Sequence, residues 1–181
     1  GDIVAQTGEQ DEEHYISVQL LAECRPHDME WVVRLAKLEA LHGNEQKAAE
    51  LAFRAAEHYL SLEEWEEAHE ALALVLRLIP GDTVSRELMA ETLQGLGRKE
   101  EAADLLWEVA AHHQEQRNEG ELRLVLERLL LIHPEHEAAR EKLAESEQLA
   151  GETARAAENF LRLAHSAHER GEHRKALDYL A

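Results

Sequence analysis

The chain has 181 residues, with 38 acidic side chains against 19 basic ones, a formal net charge of −19, and a composition 44% hydrophobic but only 4% aromatic. A surface this acidic repels nucleic-acid phosphates and anionic lipid headgroups, so neither is expected as a partner. The one cysteine, Cys24, excludes an internal disulfide framework and a cysteine-based structural zinc site, and no apolar run reaches the length of a membrane span.

Ala, Leu, Glu, Arg and Gln dominate, which are strong helix formers, and runs of β-branched residues are missing. Residues 1–10 read as a flexible N-terminal tail, with neither the basic start nor the apolar stretch of a signal peptide. Residues 11–25 read as a helix, followed by a second over 28–42 that Gly43 ends by accepting a left-handed conformation. Further helices are predicted over 45–60 and 63–78, the latter stopped before Pro80. The pattern then repeats over 82–96, 99–116 and 120–132, over 136–150 and 152–170, and in a last helix from 172. The expected fold is all-α, a solenoid of about ten antiparallel helices. A reducing, cytoplasmic setting is the default expectation.

Internal repetition is the strongest signal. The only prolines are Pro26, Pro80 and Pro134, 54 residues apart, and Gly43, Gly97 and Gly151 share the spacing. The same shift aligns Ala36 with Ala90 and Ala144, Ala48–Ala49 with Ala102–Ala103 and Ala156–Ala157, and Ala56 with Ala110 and Ala164, without a gap. The expected organisation is one array over 11–181: a partial unit 11–27, three-helix units 28–81 and 82–135, and a truncated unit 136–181. Both ends fall inside the pattern and the chain begins without Met, so it reads as a piece of a longer protein. Cys24 aligns with Leu78 and Ile132 and is expected to pack as a small apolar residue.

Residues 49–82 carry Ala52, Ala55, Ala56 and Tyr59 on one helix, then Trp65-Glu66-Glu67-Ala68, Leu72, Val75 and Pro80 on the next. In these residues and in its 34-residue length the stretch resembles a tetratricopeptide repeat (TPR). The second unit matches through Leu106, Val109, Ala110, His113, Leu122, Leu126, Leu129 and Pro134, and the third through Phe160, Leu163, Ala164, Ala167, Ala176 and Leu180. The period departs from the family's, because each unit has one additional helix, so the middle helix serves two hairpins. The resemblance implies a non-catalytic scaffold for protein–protein interaction that binds a peptide or protein on a repeat-lined groove. It places the groove residues on the first helix of each hairpin: Glu50, Phe53 and Glu57; Asp104, Trp107 and Gln114; Glu158 and Leu161. Phe53, Trp107 and Leu161 share one repeat position and could form a ladder of anchors, or could pack beneath the additional helix. The acidity favours a basic partner. Two alternatives stand beside the scaffold: a spacer or self-assembly module, and a regulatory array of a larger multidomain protein.

No cofactor or enzyme activity is expected. The chain has no phosphate loop or nucleophile elbow. Twelve histidines raise the question of metal. His165 and His168 share a helical face without an identifiable third ligand. The HExxxH stretch of residues 168–173 misses the zincin spacing by one residue; a five-residue step turns the second His about 140° away on a helix, and Gly171 weakens that helix. No metal site is expected on these grounds.

Overall fold

Glycine and proline punctuation divides the chain into helices of one to two dozen residues at most, and the computed structural model shows how each is closed. It describes residues 2–181, with side chains from residue 12 onward; residues 2–10, expected as a tail, belong to the first helix. Ten helices and no strand are present among the described residues. They fall into two compact units, residues 1–96 and 97–181, each taken here in its own right.

The first unit holds α1 (Asp2–Cys24), α2 (Met29–Leu41), α3 (Glu45–Ser61), α4 (Trp65–Leu78) and α5 (Thr83–Gly95). The second holds α6 (Lys99–Glu115), α7 (Glu119–Ile132), α8 (Glu137–Leu149), α9 (Thr153–Glu169) and α10 (His173–Asp178). These boundaries lie close to those expected from the sequence. Within each unit every helix packs on the one that follows it.

Left-handed residues close the hairpins. Beyond α2, Gly43 takes φ +81°, its N–H reaches Ala40 O, and Asn44 N–H reaches Glu39 O. This pair of bonds satisfies carbonyls that the helix end would otherwise orphan. Gly151 and Gly171 repeat the arrangement, but Glu63 (φ +57°) and Arg117 (φ +56°) make it without glycine. A side chain in this region costs about 1–2 kcal/mol.

Small residues let the helices approach. On α3, Ala48, Ala49, Ala52, Ala55 and Ala56 are all buried at three- and four-residue steps, and α6 buries Ala102, Ala103 and Ala110 at the matching positions. Larger side chains fill the remainder, Leu72 and Val75 in the first unit and Leu106, Leu126, Leu129 and Leu163 in the second.

Cys24 departs from expectation: it is exposed, whereas Ile132 at the equivalent position is buried. The cause is position in the stack. α7 is sandwiched between α6 and α8, while α1, first in the stack, packs chiefly along α2, where Val18 and Ala22 are buried and Cys24 is left facing out.

Among the described residues, two glutamates are buried. Glu39 on α2 and Glu147 on α8, 108 residues and so two periods apart, expose 0% and 1% of their surface. The Glu39 carboxylate accepts from Tyr15 OH at 2.8 Å and Asn44 Nδ2 at 2.6 Å, and pairs with Lys47 Nζ at 2.5 Å. Burial alone pushes this carboxyl up, but the bonds from Lys47, Asn44 and Tyr15 outweigh it and hold the group below its ordinary value. Glu147 accepts from Asn159 Nδ2 at 2.9 Å, and Arg155 Nε stands 3.3 Å from its other oxygen, an ion pair without hydrogen-bond geometry. Arg155 occupies the repeat position of Lys47 and also pairs with Glu127 of α7, so one guanidinium ties α7, α8 and α9 together. The middle repeat has Leu93 at the equivalent position.

Candidate functional site

On the first unit, α3, the end of α4 and the start of α5 enclose an apolar groove of about 380 Å³. Ala49 and Phe53 of α3 form one wall. Phe53 is half-buried, held against the cluster of Ala36, Ala49, Ala52, Leu74 and Val75. The facing wall is Val75 with Ile79 and Val84, which flank the Pro80–Gly81 turn. Ile79 and Val84 remain 43% and 56% exposed. Both are therefore apolar surface still open to water rather than core.

The rim is polar and acidic. Glu50 lies one helical turn before Phe53, and Gln46 one turn earlier donates to it at 3.2 Å. Asp82 closes the far side, where its carboxylate accepts from Ser85 N–H at 2.9 Å and so caps α5. Glu57, one turn beyond Phe53, is exposed on the same stripe.

The equivalent place in the second unit is already filled. Trp107 packs its ring on His136, with centroids 5.1 Å apart, and His136 in turn meets His133 at 5.8 Å. His136 and His133 stand where the first unit has Asp82 and Ile79. His136 Nδ1 also accepts from Ala139 N–H at 3.1 Å and caps α8, the role Asp82 has in α5. Asp104 is exposed beside this cluster, and Gln114 accepts from Lys142 Nζ at 2.6 Å.

At the third repeat the same stripe is bare. Leu161 is 60% exposed, and Ala157 is exposed although Ala49 and Ala103 are buried. The short α10 covers α9 through Ala176 and Tyr179, against Ala164 and Ala167, and leaves the preceding turns open. Glu158 is engaged with Arg162 at 2.8 Å.

Of the eight residues singled out from the sequence, Glu50 and Phe53 meet in the groove and Glu57 continues their stripe. Asp104, Trp107 and Gln114 lie on α6, and Glu158 and Leu161 on α9, both in the other unit. Sequence reasoning missed the facing wall, Ile79 and Val84. The available signal was a pair of apolar residues flanking a Pro–Gly turn that is His133 and Ala138 one period later.

A second departure concerns the HExxxH stretch. The expected divergence of about 140° holds for residues on one helix, which Gly171 was expected to weaken. α9 ends at Glu169, Gly171 takes φ +79°, and the chain reverses into α10. His168 Nδ1 and His173 Nδ1 come to 3.2 Å. Among the described residues, no group of three or more His, Cys, Asp or Glu side chains is placed to hold a metal ion, and no helix is long and apolar enough to cross a membrane.

No family model matches the chain, and no curated protein is similar to it. Solved structures of helical-repeat proteins are similar at low identity. BtubC (BKLC) from P. vanneervenii is 17% identical, with a TM-score of 0.46, over 94% of this chain and 85% of that one. A Podosopora anserina putative kinesin light chain with nearly identical TPR-like repeats is 18% identical, with a TM-score of 0.34, over 92% and 91%. YrrB, a TPR protein with an unusual peptide-binding site, is 13% identical, with a TM-score of 0.33, over 89% and 96%. With superpositions this loose, what the chain does is read from its own residues.

Proposed function

We propose that the chain is a non-catalytic interaction scaffold, and that the groove between α3, α4 and α5 takes an apolar anchor from a basic peptide or protein segment. The observation behind this reading is the exposure of Ile79 and Val84 opposite a half-buried Phe53, under a rim carrying Glu50 and Asp82. Desolvating such a pocket with one large side chain supplies most of the energy at a typical interface. The acidic rim and the net charge of −19 add attraction for Lys and Arg beside the anchor, felt chiefly in the association rate and screened by salt.

Selection of peptides from a random displayed library tests this directly. The expected winners carry one bulky apolar residue flanked by basic ones. Val84→Glu, a change at an exposed position, should weaken them about tenfold or more, or roughly 1.4 kcal/mol. Binding that is indifferent to Val84→Glu, or selection of acidic peptides, would contradict the proposal.

A second reading, self-assembly, has its own support in the second unit. Leu161, Leu177 and Leu180, exposed by 60%, 69% and 59%, surround an apolar depression of about 420 Å³. Light scattering across a concentration series checks it: growth in mass that Leu161→Glu abolishes favours assembly, and a constant monomer mass rejects it.

A further inference from the structure

The reversal at Gly171 creates a feature that the interaction reading leaves unused. His168 lies in the last turn of α9 and His173 is the first residue of α10, both exposed. Their rings are inclined at 49° with centroids 5.1 Å apart, and their Nδ1 atoms are 3.2 Å apart. Two nitrogens bound to one metal ion at about 2.0–2.1 Å are separated by about 3.3 Å in tetrahedral geometry and about 2.9 Å at a right angle. The observed separation falls between these values, so both donors stand at chelating distance.

We propose that His168 and His173 form a two-ligand site for a borderline divalent transition-metal ion, Zn²⁺ or Ni²⁺, with water completing the coordination. Imidazole suits these ions. In the metal-free chain one Nδ1–H donates to the other Nδ1. Binding requires both rings in the Nε2–H tautomer, which moves a proton between nitrogens of one ring and releases none. Of the neighbouring carboxylates, Glu172 is paired with Arg170 at 3.0 Å. The pair therefore acts with two protein ligands. The chain's negative charge favours any cation that approaches.

Calorimetric titration of the full chain with ZnCl₂, at a pH where imidazole is neutral, tests the proposal. The expected result is one ion per chain with micromolar affinity, weakened about tenfold or more in His168→Ala and again in His173→Ala. Circular dichroism should be unchanged, since both side chains are exposed. The double variant His112→Ala/His113→Ala, which removes a different histidine pair of this unit, should bind as the parent does. Absence of binding up to about 1 mM, parent-like affinity in either His168→Ala or His173→Ala, or loss that follows the His112/His113 variant instead would each overturn it.

Discussion

Glu39 shows what a single residue contributes when its surroundings are complete. Its carboxylate is fully buried yet meets a phenol, an amide and an ammonium, so the cost of desolvation is offset within one shell. Because its folded pKa is depressed, the linked stability is present above the ordinary carboxylate value of about 4.3 and is lost as pH falls through the folded value. Glu39→Gln should therefore cost about 1–3 kcal/mol near neutral pH. It should also flatten the acid limb of the stability profile, as followed by urea denaturation at a series of pH values. The left-handed residues make a second prediction. Glu63→Gly and Arg117→Gly should each stabilise the chain by about 1 kcal/mol, because glycine adopts φ near +57° without steric cost. An increase of about 2–4 °C in Tm for each variant is the corresponding readout.

At the scale of elements, close approach is set by what is left out. Trp65 at the start of α4 lies over Gly95 at the end of α5, where a Cβ would stand far inside van der Waals distance of the indole ring. Gly95→Ala normally favours a helix, yet here it should destabilise by about 1–3 kcal/mol. The double variant Trp65→Leu/Gly95→Ala should recover part of that loss, which a thermal-denaturation cycle measures. The helices themselves were largely legible in the sequence, because Pro26, Pro80, Pro134 and the glycines 54 residues apart mark where many of them end, although Glu63 and Arg117 close α3 and α6 without either residue. Half of the candidate groove was also legible, since Glu50 and Phe53 sit on a helix whose buried face is spelled out in alanine. The wall of Ile79 and Val84 was not, because it depends on how the turn after α4 folds back across α3. Glu39 and Glu147 were invisible for a different reason. In a chain with 38 carboxylates, burial of two is a tertiary event that composition cannot single out. The convergence of His168 and His173 was missed because a helical wheel does not extend across a left-handed glycine.

For the whole molecule, the proposed function joins the excess of acidic charge and the open apolar groove in one kind of partner. Charge acts at a distance and over a Debye length of about 8–10 Å, so it brings a basic segment near without choosing its register. In the proposed function the groove then makes the choice, through Phe53, Ile79 and Val84. Affinity should accordingly fall as salt rises, while the specificity among anchors should persist. Amide chemical-shift mapping of ¹⁵N-labelled protein with a selected peptide tests that account most directly. Perturbations gathered at Gln46, Ala49, Glu50, Phe53 and Val84 are the predicted result. Perturbations gathered instead around Leu161 and Leu177, with those five amides unmoved, would contradict it.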